Sequence, residues 1–169
     1  MNYLIGYPDE IIQKANLLAS QSRLSEVLLQ KYSGMHDIRT DKALYNYVLD
    51  LKNSFTRNAQ MPGKVLFDND LRLIKRALGL HTTISRIQGG KLKSKNEIRI
   101  ASLFKEVPLE FLKMISVHEL AHLKEKDHNK AFYKLCVSME PDYHQIELDL
   151  RLYLTHVDLL GKLVWGSHR

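Results

Sequence analysis

The run Val117-His118-Glu119-Leu120-Ala121-His122-Leu123 sets two imidazoles four residues apart with a carboxylate beside the first. On a helix, positions four apart stand one turn above each other on the same face. His118 and His122 can therefore reach one metal ion, and Glu119 is placed to act on water at that metal, the pattern of a zinc-hydrolase helix. A shuffled chain of this composition would hold such a pattern about 0.02 times, and about 0.001 times with a further histidine at the place of His128. Histidine and glutamate are also poor fillers for a stripe otherwise reading Leu112, Ile115 and Leu123. Metal binding is the stronger reading, ahead of a structural histidine pair.

Other elements must hold these residues. The metal helix is expected to start at Pro108 and to run to about Lys126, with His128 in the turn after it. Asn129 to Met139 forms the next helix, stopped by Pro141, and Met139 reads as a helix-end residue. Asp142 to Leu160 carries Ile146, Leu150, Tyr153, Leu154 and Val157 at helical spacing and should lie against the metal helix.

Upstream, Pro8-Asp9-Glu10 opens a helix through Ala19, and a second phase through Leu24, Val27 and Leu28 stops near Ser33-Gly34. Asp41 to Phe55 is amphipathic, with Tyr32, Tyr45 and Tyr47 read as packing residues. After a break at Met61-Pro62-Gly63, Leu71, Ile74, Ala77 and Leu78 recur helically, and Gly79 caps. From His81 the period changes. His81–Ile87 is β-branched and reads as a strand, Gly89-Gly90 as a turn or bulge, and Glu97–Ala101 as a second strand. Lys91, Lys93 and Lys95 between them suit a solvated loop or edge, or a basic rim facing an anionic substrate.

Composition narrows the classes. Hydrophobic content of 44% with 26% charged residues describes a globular chain, not a disordered one. At 169 residues it is one domain, residues 1–169, able to bury a core. The single cysteine, Cys136, leaves no internal disulfide, which fits a reducing cytoplasm. Met1–Pro8 has neither a basic start nor a long apolar run, so a signal peptide is not expected, and no apolar stretch is long enough for a membrane span. The net charge of +6 tolerates nucleic acid or another anionic partner without demanding one. Oligomeric state is not readable from these features.

The motif around His118, His122, His128 and Phe132, with Met139-Glu140-Pro141-Asp142-Tyr143 after it, resembles the YgjP-like family of metal-dependent hydrolases, grouped with zincin metallopeptidases. The resemblance implies that His118, His122 and His128 ligate one zinc, or another divalent transition metal, and that Glu119 is the catalytic base. Elements and resemblance together imply an α+β, zincin-like fold, mostly helical, with a small β-sheet beside the metal-binding helix. Two departures stand out. Relatives carry an Arg-Trp-Gly-Ser-Cys stretch where this chain has Arg86-Ile87-Gln88-Gly89-Gly90. Glu125 occupies the place where metzincins use glycine for a sharp turn, so the helix is expected to run on past it.

Three neutral imidazoles leave a dipositive ion an open position for water. Glu119 would take the proton of the attacking water and hand it to the leaving group. Arg86 and Tyr143 are candidate donors to a developing oxyanion, and Arg86, Lys91 and Tyr143 are candidate substrate contacts. Carboxylates that accept from the ligand imidazoles are expected among Glu125, Asp127, Glu140 and Asp142. The leading reading is a cytoplasmic zinc metallopeptidase with its peptide beside Glu97–Ala101. The resemblance also brings a second reading, a nucleoside-triphosphate pyrophosphatase acting on UTP, with Arg86 to Arg99 meeting the triphosphate. A third is a nucleic-acid-associated protein with a structural metal, which would need a fourth ligand.

Overall fold

Two prolines start the helices that matter most. Pro8 and Pro108 each have φ −56°, the value a first helical turn requires, and their missing N–H groups would be unsatisfied there in any case. The computed structural model describes residues 2–80 and 97–166. The expected strand His81–Ile87, the Gly89-Gly90 turn, and Arg86, Lys91, Lys93 and Lys95 lie outside them.

In chain order, α1 spans Asp9–Ser20, α2 Leu24–Lys31 and α3 Asp41–Phe55, the last matching its expected limits. Thr40 caps α3 by accepting from the Ala43 N–H at 3.1 Å, and Leu44 and Val48 are fully buried on its inner face. Strand β1 (Lys64–Asp68) follows, then α4 (Arg72–Ala77), closed by Gly79 at φ +70° as its position suggested. Strand β2 is Glu97–Ala101, and a 3₁₀ turn at Ser102–Glu106 leads into α5 (Leu109–Ala121). Helices α6 (Lys130–Met139) and α7 (Tyr143–Leu160) complete the described elements.

The fold is α+β, mostly helical, with a two-stranded parallel sheet among the described residues. β1 was not expected, because the sequence reading passed from the Met61-Pro62-Gly63 break directly to α4. It pairs with β2 in the register Val65↔Ile98 and Phe67↔Ile100, and these four side chains are buried in the core. The partner recruited for β2 thus lies more than thirty residues upstream, a pairing that no local pattern announces. Asp41 joins α3 to the sheet by accepting from the Phe67 N–H at 2.9 Å.

Helix α5 is the axis of the core. Ten of its 13 residues are buried, on every side and not along one stripe, which is the signature of an interior helix. Helix α7 packs against it, as expected. Tyr32, Phe111, Tyr153 and Trp165 form an aromatic cluster at the far end, with ring centroids 4.9–6.5 Å apart. No helix among the described residues is long and apolar enough to cross a membrane.

Candidate metal centre

The last turn of α5 delivers His118 and His122 to one face, as the i, i+4 spacing requires. The helix then stops about five residues before the expected Lys126. His122 is its C-cap, and the Leu123, Lys124 and Glu125 N–H groups bond back to the carbonyls of Leu120 and Ala121 at 2.9–3.1 Å. This reversal uses no left-handed residue at Glu125: among described non-glycine residues, Ser22 alone has a positive φ. A glutamate is therefore tolerated where the metzincin turn uses glycine. The early stop swings His128 back towards the helix, and Asn129 then caps α6 by accepting from the Phe132 N–H at 2.9 Å.

The three rings converge. His122 Nε2 lies 3.1 Å from His118 Nε2 and 3.0 Å from His128 Nε2, and one nitrogen from each ring falls within 4.8 Å of the others. Ligands about 2.0–2.1 Å from a tetrahedral ion stand roughly 3.3 Å apart, a few tenths of an ångström from the two separations measured at His122. The His122 Nδ1–H donates to the Glu125 carbonyl at 2.9 Å. A carbonyl can only accept, so Nδ1 carries the proton and Nε2 presents its lone pair, the form a metal ligand needs. The donor set fits one divalent transition metal.

Phe132 forms the floor beneath the rings. It is fully buried, with centroids 4.5 Å from His122 and 4.9 Å from His118 and His128. The sequence offered Phe132 only as part of a family pattern; its contact with all three histidines emerges from the turn that folds α6 back on α5.

Tyr143 sits elsewhere than a substrate contact would. It is fully buried at the start of α7, and its hydroxyl lies 2.8 Å from His118 Nδ1, behind the ligand. Burial raises its pKa well above the ordinary tyrosine value, so it stays neutral. Burial pushes the Cys136 thiol up to about 12, with the neighbouring Tyr143 side chain working against the rise. The expected carboxylate partners are not what orients these two ligands: His118 has a hydroxyl and His122 a main-chain carbonyl. Glu140 is instead paired with Lys113 at 3.0 Å.

Glu119 is 8% exposed and lines a narrow cleft with Leu73 and Ile74 of α4, Arg99 and Ala101 of β2, and Leu150 of α7. Glu119 thus borders β2, the strand beside which a peptide substrate was expected. Arg99 is held there by Glu97 at 2.6 Å and by Asp68. The Asp68 carboxyl is lowered from its usual range, first by the Asp70 N–H and then by the Arg99 guanidinium. This clamp across β1 and β2 was not singled out from the sequence, because its members become neighbours only through strand pairing. Arg86 and Lys91 fall outside the described residues.

A family model described as "YgjP-like, metallopeptidase domain" matches residues 69–153, which hold the three histidines, Glu119, Phe132 and Tyr143. The UTP pyrophosphatase of Escherichia coli (strain K12) is 56% identical over 159 residues, covering 94% of this chain and 95% of that protein. No solved structure matches the chain.

Proposed function

The chain belongs to the YgjP-like family, and we propose that it is a metal-dependent hydrolase of nucleoside triphosphates, acting on UTP to release UMP and pyrophosphate. The observation that carries the hydrolase reading is the convergence of three histidine nitrogens on one point at the end of α5, with Glu119 next to His118 in the chain. The choice of UTP is supported by the name of the 56% identical relative.

A divalent metal, zinc first, held by three neutral imidazoles would supply a Lewis acid and lower the pKa of water towards ~7. His118, His122 and His128 would hold it. Glu119 would take the proton of the attacking water and later return it to the leaving oxygen. The water oxygen adds to the α-phosphorus, the bond to the bridging oxygen breaks, and pyrophosphate departs. Phe132 keeps the ligand rings in register, and the apolar walls Leu73, Ile74 and Leu150 limit water around Glu119. Arg86 and Lys91 are proposed as the cations that meet the triphosphate.

Peptide-bond hydrolysis is kept as a second reading because the matching family model is described as a metallopeptidase domain. The same water and the same base would serve it. The test runs UTP, other nucleoside triphosphates and a peptide library side by side with the metal-loaded protein. Release of pyrophosphate from UTP, lost on Lys91→Glu with Arg86→Glu, supports the nucleotide reading. Peptide cleavage with no turnover of UTP would replace it with the peptidase reading.

A further inference from the structure

We propose that Arg99 reads the base of the nucleotide, donating a hydrogen bond to the carbonyl oxygen at C4 of uracil in the cleft it shares with Glu119. The inference rests on the nucleotide reading above and names the part of the substrate that this cleft takes.

Strand alternation builds the cleft. Val65, Phe67, Ile98 and Ile100 are buried in the core, so Asp68, Glu97, Arg99 and Ala101 share the opposite face of the sheet. Leu73 and Ile74 of α4 line the cleft together with Arg99, Ala101 and Glu119. Arg99 is fixed from two sides. Its Nε donates to Glu97 at 2.6 Å and its Nη1 to Asp68, while its Nη2 bonds to no described residue. Asp68 is itself held by the Asp70 N–H at 2.8 Å, in the turn that enters α4. One prong of a rigid fork is thus left over, and the other two determine where it stands.

The charges decide which part of a nucleotide fits. Arg99 is paired with two carboxylates, and Glu119 adds a third to the same cleft. A triphosphate would meet net negative charge there, which sets Arg99 apart from the cations proposed to meet it. An uncharged ring with carbonyl oxygens meets no such repulsion. Among the described side chains lining the cleft, Arg99 is the one donor: the Glu119 carboxylate accepts, and the others are apolar. Uracil presents an acceptor oxygen at C4 where cytosine presents an amino donor, so a fixed N–H at that place separates the two bases. Leu73 and Ile74 give the ring apolar contact.

The test compares kcat/KM of the metal-loaded chain on UTP, on CTP and on a UTP analogue with hydrogen in place of the C4 oxygen. The unaltered chain should favour UTP over both by about 10-fold or more. Arg99→Met keeps the apolar stem and should bring the three substrates within about twofold, with KM for UTP raised and kcat largely kept. A residue that only braces the sheet would lower all three alike and leave their ratios in place. Should Arg99→Met fail to fold, Arg99→Lys decides: it keeps a cation beside Glu97 and Asp68 but loses the planar fork, so the preference should fall with the melting temperature retained. Unaltered ratios in either folded variant, or equal turnover of the three substrates by the unaltered chain, would overturn the base-reading role. No turnover of any nucleotide by the unaltered chain would instead strike the nucleotide reading, and is seen before any variant is compared.

Discussion

The ring of Phe132 lies 4.5 Å from that of His122 and is tilted from it by 32°, while the same ring touches His118 and His128 at 4.9 Å. One buried ring thus contacts all three candidate ligands. Phe132→Ala should destabilise the fold by about 3–5 kcal/mol, since it empties a fully buried aromatic site. Phe132→Leu separates packing from aim: it keeps apolar volume and should lower metal affinity about tenfold with the fold retained. Unchanged affinity in the leucine variant would show that the ring only fills space.

Metal content should follow the histidines one by one. The purified chain should bind about one divalent transition metal, and His118→Ala, His122→Ala and His128→Ala should each reduce occupancy sharply in elemental analysis. Full occupancy in His128→Ala would move the third ligand elsewhere.

A substitution at Glu119 should separate catalysis from binding. Glu119→Gln preserves size and removes the proton acceptor, so turnover of the true substrate should fall roughly 10²–10⁴-fold while metal content and melting temperature hold. A rate that survives unchanged belongs to another site or another protein.

Stability should depend on pH through His36, which is bonded to Phe104 and Val107 just ahead of the N-terminus of α5. Its Nε2–H donates to the Phe104 carbonyl at 2.7 Å and its Nδ1 accepts from the Ile38 N–H at 2.9 Å, so the buried neutral ring is fully used. Burial lowers its pKa below the ordinary 6.5, outweighing the Phe104 bond that raises it. The sign follows from linkage. The stabilisation is present above pH 6.5, where the ring is neutral in both states. It is lost as pH falls from there through the lower folded value, because the unfolded chain takes the proton first. Glu147 works the other way in the carboxyl range: burial raises its pKa, so the folded chain takes up that proton first as pH falls. Denaturant midpoints from about pH 7.5 to about pH 5 should drop more steeply in the unaltered chain than in His36→Gln. Parallel profiles would remove His36 as the cause.

What the sequence determined by itself was local. A helix repeats every 3.6 residues whatever surrounds it, so His118 and His122 were bound to share a face, with Glu119 alongside. Proline and glycine punctuation likewise placed ends of α1, α4 and α6 near their observed limits, and apolar spacing placed those of α3. The end of α5 was misjudged because a reversal without glycine leaves no mark: it is stabilised by main-chain bonds to Leu120 and Ala121 and by the His122 ring on the Glu125 carbonyl, all independent of side-chain identity at 125. β1 was missed because its five residues acquire strand character only by pairing with β2 across α4, a gain that propensity does not contain. Tyr143 was visible as a residue and misread as a contact for substrate. Its position behind His118 exists only once α7 packs on α5, which brings together side chains 25 positions apart. Helical periodicity is a property of the chain's own geometry. The partner behind each ligand is a property of which buried surfaces meet, and packing alone settles that.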